Sequence, residues 1–237
     1  MAINIDKSGA TGSEGAAGFS VGGVAPNGLN GQDANCNWID DDCARVGQPG
    51  ADGLNGGPGN EGGPGADAPS FLVIEVTKFD FDVSVTLRGG AGGKGGKGGD
   101  GQAGGKGGRG GNGNDCELGR HGGNGGRGGD AGAGGKGGRG GRAGKVSVIM
   151  HQAANPTAMS FSVSGGKGGL PGDNGTPGGR GAPGDDGSTT GVFSTSSDCE
   201  DQGPQAQWGG QGNVPNNLGS GPDGADGPAP EFKVVPA

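Results

Sequence analysis

The stretch GGAGGKGGKGGDGQAGGKGGRGGNG, residues 89–113, decides how this chain is read. Glycine stands at every third position from Gly89 to Gly113, and most triplets carry a second glycine beside it. An α-helix repeats every 3.6 residues and a strand every 2.0, so a strict period of three suits neither. It suits an extended left-handed helix with three residues per turn and a rise of about 3.1 Å per residue. Each triplet position then forms one longitudinal face. Gly-Gly-X leaves two faces bare, and neighbouring backbones can approach closely along them.

The same period extends outward from this block. Residues 123–144 (GNGGRGGDAGAGGKGGRGGRAG) hold a second unbroken phase, and residues 47–65 and 169–187 carry Gly-X-Y triplets such as GLPGDNGTPGGRGAPGDDG. Collagen also repeats in threes, but it needs only one bare face per chain. The Gly-Gly-X blocks contain no proline to stiffen them. Low-complexity disorder is the other alternative, because only 27% of the chain is hydrophobic and a core is hard to build.

The segments between the glycine blocks argue against disorder. Residues 71–87 (FLVIEVTKFDFDVSVTL) alternate apolar and polar positions over two stretches, as two strands with a tight connection would. KVSVIM (145–150) and MSFSV (159–163) repeat the pattern around AANPTA, and short strand-like pieces stand at 3–5 and 232–235. Six strand candidates thus interleave with six glycine-rich arms. The expected fold class is irregular: a six-arm antiparallel polyglycine-II bundle with short β-strands gathered at one end and essentially no α-helix. Three repeat units, 1–77, 78–158 and 159–237, would each run strand, arm, loop, arm, strand. The first arm slips phase around Val21, and the last has Ala206, Pro215 and Leu218 where the phase requires glycine. Local bulges are expected in both.

Alternating arms would gather the strands at a base, with Phe71, Val73, Phe79, Phe81, Val83, Val148 and Phe161 as its core. The loops 32–46, 115–118 and 188–202 would meet at the opposite tip. Trp38 and the acidic run Asp40, Asp41 and Asp42 lie in the first loop, and Trp208 lies near the third. Tryptophan is a common interface anchor, and these five residues are the candidate binding set. Capping the ends of bare helices is their alternative role.

Charge is uneven along the chain. The net charge of −8 divides into about −9 for residues 1–87, +7 for 88–145 and −6 for 146–237. Lys94, Lys97, Lys106, Arg109, Lys136, Arg139 and Arg142 occupy X positions. A spacing of three stacks such cations about 9 Å apart. A polyanion-binding stripe is one reading of this ladder. A basic central layer neutralised by acidic outer arms is the preferred one, since no aromatics intervene, and nucleic acid is accordingly disfavoured as a partner.

Cys36, Cys43, Cys116 and Cys199 allow three disulfide connectivities. The expectation is Cys36–Cys43, close in sequence, with Cys116–Cys199, at equivalent repeat positions. No CxxC pair occurs and only His121 and His151 are present, so no metal is expected. Disulfides point to an extracellular or virion location, although MAINIDKSGA lacks an apolar signal segment and nothing is long enough to insert in a membrane. GxGxxG matches abound, but none follows a strand and opens a helix. There is no Walker lysine, no nucleophile elbow and no tyrosine. The reading is therefore a non-enzymatic protein with no cofactor.

With punctuated stretches such as GGKGGRGGNGNDC (104–116) and GADGPAP (224–230), the chain resembles two families built on polyglycine-II bundles. One comprises the distal adhesins on the long tail fibres of T-even-type phages. The other, more weakly, comprises springtail antifreeze proteins. The first resemblance implies a rigid slab whose tip loops bind a cell-surface receptor or glycan. The second implies a flat ice-binding face of small residues, whereas the X positions here often carry charge. Self-assembly into a fibre through β edge strands is a third expectation.

Overall fold

Glycine-rich segments with no side chain on two of their faces cannot bury apolar surface, so their backbones must satisfy one another. In the computed structural model they do so arm against arm. It describes residues 2–36, 41–77, 82–115, 117–151, 159–189, 199, 202–216, 218–225, 227–228 and 231–235. Among these residues there is no helix, and eight short strands are the only regular elements. Six extended arms connect them: arm 1 (7–34), arm 2 (44–69), arm 3 (87–113), arm 4 (118–144), arm 5 (163–188) and arm 6 (the described residues 202–216, 218–225 and 227–228).

Hydrogen bonds recur at every third residue. In arm 3, the N–H groups of Gly89, Gly92 and Gly95 donate to the carbonyls of Ser164, Lys167 and Leu170 in arm 5 at 2.8–3.0 Å. Those of Gly90, Gly93 and Gly96 donate to Ala66, Gly63 and Asn60 in arm 2 at 2.8 Å. The carbonyls of Arg88, Ala91 and Lys94 accept from Gly9, Gly12 and Gly15 of arm 1, and those of Gly90 and Gly93 accept from Gly141 and Gly138 of arm 4. The registers place arms 1, 3 and 5 side by side, running in one direction. Arms 2, 4 and 6 form a second layer running in the other. Arms 3 and 4 each touch four neighbours, which is why they need the second glycine.

The third N–H of each triplet faces outward, and side chains serve many of them. Asn27, Asn30 and Asp33 of arm 1 accept from the N–H groups of Lys106, Arg109 and Asn112 at 2.8–2.9 Å. Asp52, Asn55 and Asp67 of arm 2 do the same for Arg127, Asp130 and Arg142. Short side chains with an oxygen two bonds from Cβ can reach a neighbouring backbone, which accounts for the Asn and Asp residues along both broad faces. The expected phase slip falls at Gly23 (φ 80°): Val21 and Ala25 of arm 1, four residues apart, bond Asp100 and Ala103 of arm 3, three apart. Two further left-handed glycines, Gly203 (φ 85°) and Gly219 (φ 89°), lie in arm 6.

The strands continue the arms. β1 (Ala2–Asp6), β5 (Asp82–Thr86) and β7 (Met159–Ser162) lead into arms 1, 3 and 5 and form one parallel sheet in the order β1-β5-β7. β4 (Phe71–Val76), β6 (Lys145–Met150) and β8 (Glu231–Val234) follow arms 2, 4 and 6 and form the other, in the order β4-β6-β8. The two sheets share one core of Ala68, Ile74, Val83, Val85, Leu87, Val146, Val148 and Met150, with Phe161 packed against it. Two expected core residues are not there: Phe71 and Val73 are 52% and 47% exposed. FLVIEV is apolar on both faces, and pairing with β6 turns Ile74 inward instead. Phe79 and Phe81 lie outside the described residues.

Candidate functional site at the tip and along the slab

At the end opposite the sheets, β2 (Asn35–Cys36) pairs antiparallel with β3 (Asp41–Asp42). Below this ribbon the chain is tied twice. Cys43 is bonded to Cys199, across 156 residues of sequence. This overturns the expected Cys36–Cys43 and Cys116–Cys199 pairs. Proximity along the chain suggested Cys36 as the partner, but β2–β3 pairing sets Cys36 opposite Asp41, and the arms bring the third loop to Cys43. Cys116 and the side chain of Cys36 lie outside the described residues.

The second tie is a buried ion pair. Glu117 Oε1 accepts from Arg120 at 3.0 Å, and its Oε2 accepts from the backbone N–H of Ala44 at 3.0 Å. Arg120 Nε donates to the Ala44 carbonyl at 3.0 Å, and both charged side chains are 6% exposed. The start of arm 4 is thus clamped to the start of arm 2, next to the disulfide. Cys43, Glu117 and Cys199 hold three ligand-type atoms within 4.8 Å. The sulfurs are bonded to each other and the carboxylate is already engaged, so the trio acts as a clamp. Sequence reasoning missed Glu117 and Arg120. Their only signal was a charge pair at the period of three, which many exposed pairs share.

Of the candidate binding residues, Trp38 and Asp40 and the side chain of Asp41 lie outside the described residues, and Asp42 is exposed. Trp208 lies on arm 6, 56% exposed, with the Arg180 guanidinium 4.8 Å from its ring centroid. At the start of arm 4, His121 Nδ1 is buried 3.0 Å from Asp186 Oδ1. His151 Nε2 lies 2.6 Å from Glu75 at the other end of the molecule.

The basic ladder is divided between two faces. Lys94, Lys97, Lys106 and Arg109 emerge from the layer of arms 1, 3 and 5, where each meets a carboxylate: Asp173, Asp100, Asp185 and Asp33 respectively, at 2.8–3.5 Å. Lys136, Arg139 and Arg142 emerge on the opposite face, exposed, and pair with no carboxylate among the described residues. Arms 3 and 4 point their X positions in opposite directions, so the seven cations form no single stripe. Several aspartates on these faces are held below their ordinary value of 3.8. Asp33 is lowered chiefly by the Asn112 N–H, Asp100 by the Thr176 N–H, Asp130 by the Asn213 N–H, and Asp173 by the Lys94 ammonium.

No helix among the described residues is long and apolar enough to cross a membrane. No family model matches the chain, and no curated protein matches it. Among solved structures, the chain is similar at 27% identity to a springtail antifreeze protein from Granisotoma rainieri, a nine-helix polyproline-type-II bundle. The alignment covers 68% of this chain and 97% of that one, with a TM-score of 0.11.

Proposed function

We propose that the chain is a six-arm polyglycine-II bundle of three repeat units, acting without catalysis as a rigid adhesive scaffold. Its work is to hold the loops 32–46, 115–118 and 188–202 at one tip for a cell-surface receptor or glycan, outside the cell or on a virion. The supporting observation is the double tie at that tip: the Cys43–Cys199 bond and the buried Glu117–Arg120–Ala44 clamp join all three loop regions. A receptor then meets loops already held in place, which spares ordering entropy on binding. Arms bonded to their neighbours at every third residue give the support its stiffness.

The experiment replaces Trp38 by Ala and Asp40, Asp41 and Asp42 by Asn, then measures attachment to candidate host cells or glycans beside thermal stability. Loss of attachment with a melting temperature unchanged within a few degrees supports tip recognition. Full attachment by this variant refutes it. Ice binding is a second reading, favoured by one feature. Along the edge formed by arms 1 and 2, from Ala10 to Leu29, the residues that bond one arm to the other, Ala10, Ser13, Ala16, Phe19, Pro26 and Leu29 with Gln48, Ala51, Gly57, Asn60, Gly63 and Ala66, are all uncharged. An ice-recrystallisation assay on the tip variant tests it, because an edge-borne activity survives the tip changes.

A further inference from the structure

Eight cations occupy X positions of arms 3 and 4, and three of them stand apart from the rest. Lys94, Lys97, Lys106 and Arg109 each meet a carboxylate on one broad face, and Arg127 on the other is paired with Asp130. Lys136, Arg139 and Arg142 follow one another at the period of three, exposed, with no carboxylate in ion-pair reach among the described residues. The next cation in phase, Lys145, is paired again, with Glu231 at 2.6 Å. The charge left without a partner is thus one short row, about 19 Å long at about 3.1 Å per residue.

The two sides of this row differ. On arm 2, Gly62, Gly65 and Ala68 donate to the carbonyls of the three cations, and the exposed Glu61 and Asp67 border the row. Asp67 accepts from the Arg142 N–H at 2.7 Å. On arm 6, the residues level with the row are Gly219, Pro222 and Ala225, whose carbonyls accept from Gly137, Gly140 and Ala143. Positions in this register stand beside the X side chains of arm 4. At Gly210, three triplets earlier, an added Cβ would lie 3.5 Å from Arg127 Cγ, and at Gly219 it would meet nothing within 4 Å. Asp223 of arm 6 is held by Lys167 and the Gly168 N–H of arm 5. Arm 6 therefore offers a low, uncharged shelf beside the three cations.

We propose that the row and its shelf bind a linear acidic polysaccharide, with acidic groups on the cations and sugar rings against Pro222 and Ala225. Shape, spacing and charge select this ligand. The strip is open and straight, whereas small-molecule sites are concave. Its cations recur about every 9 Å, the length scale on which an extended polysaccharide with one acid per disaccharide repeats its charge. Nucleic acid carries a phosphate about every 3.4 Å along each strand, and the shelf lacks the aromatic side chains on which bases stack. Glu61 and Asp67 close the arm 2 side to an anion and leave the arm 6 side as its approach. Charges farther than about 8 Å are largely screened at physiological salt, so the net −8 of the whole chain does not cancel the row.

The row lies beside the base, more than about 50 Å along arm 4 from the Glu117 clamp. It is a second contact, independent of the tip loops. Engaging a surface polysaccharide there would hold the slab near that surface and raise the effective concentration of the tip loops for their own target.

Calorimetric titration of the full chain with a hyaluronan decasaccharide, which carries one carboxylate per disaccharide, tests the proposal beside a neutral cello-oligosaccharide and single-stranded DNA. Hyaluronan should bind and the neutral sugar should not, and binding should weaken severalfold between about 50 and 200 mM salt. Lys136→Gln, Arg139→Gln and Arg142→Gln combined should weaken it about tenfold or more. Lys94→Gln with Lys106→Gln, on the opposite face, should leave it unchanged. All these side chains are exposed, and circular dichroism matching wild type confirms each fold. The variant of Trp38 and the three aspartates should bind hyaluronan as wild type does, so this reading and that of the tip fail separately. The proposal is overturned if hyaluronan does not bind, if the triple variant binds it undiminished, if the tip variant loses it, or if DNA binds as tightly.

Discussion

Replacing Gly132 by Ala tests the packing of the slab more sharply than any surface change. Gly132 sits in arm 4, and an added Cβ would stand 1.9 Å from the Gly57 carbonyl oxygen, 2.6 Å from its carbon and 2.9 Å from the Gly99 nitrogen. Every obstacle is backbone, so no rotamer can yield. Ordinary contact begins near 3.4 Å, and arm 2 must therefore retreat by more than 1 Å. The bonds from Gly56 to Asp130 (2.9 Å), Gly59 to Ala133 (2.8 Å) and Gly132 to Gly99 (2.8 Å) would stretch beyond useful length. Losing two or three of them, with their buried groups left unsatisfied, costs about 3–5 kcal/mol. Gly179→Ala is the matched control. Its Cβ would meet nothing within 4 Å and its φ is not left-handed, so reduced unfolded-state entropy should stabilise it by about 0.4–1 kcal/mol. For a chain of this size, at about 2–4 °C per kcal/mol, the two variants should melt at least about 7 °C apart, as measured by calorimetry. Equal melting temperatures would refute backbone-against-backbone packing as the source of stability.

Three further outcomes are expected. Glu117→Gln should lower stability to chemical denaturation by about 3–5 kcal/mol, because Arg120 would remain buried without its counter-charge; a loss below 1 kcal/mol would show that the clamp is idle. Mass mapping of non-reduced peptides should find Cys43 linked to Cys199, and reduction should destabilise the chain by up to about 5 kcal/mol given the long loop closed; a Cys43–Cys36 peptide contradicts the structure. The lowered carboxyls of Asp33, Asp100, Asp130 and Asp173 contribute stability above their ordinary 3.8, and it disappears as pH falls through their folded values. The melting temperature should therefore hold between about pH 5 and 7 and fall below about pH 4, and a flat profile down to pH 2.5 would refute these bonds in solution.

Some of this architecture was legible one residue at a time. A period of three excluded helix locally, since neither 3.6 nor 2.0 can hold it, and the apolar runs 71–87, 145–150 and 159–163 marked strands where β4, β5, β6 and β7 stand. The slip at Val21 marked the bulge, because one extra residue must leave the phase somewhere. Pairing was not legible. FLVIEV and DVSVT are five residues apart, yet β4 and β5 belong to different sheets, because each strand joins the layer of the arm it continues. The same cause misled the cysteine assignment, since distance along the chain says nothing about which loop an arm about 80 Å long returns to. It also split the basic ladder: identical Gly-Gly-X triplets in arms 3 and 4 point their cations to opposite faces once the two arms pack antiparallel. Local periodicity is a property of a single backbone and is written in the sequence. Which of three equivalent faces turns inward, toward a neighbour or into solvent depends on contacts between arms distant in sequence, and only the packed structure decides it.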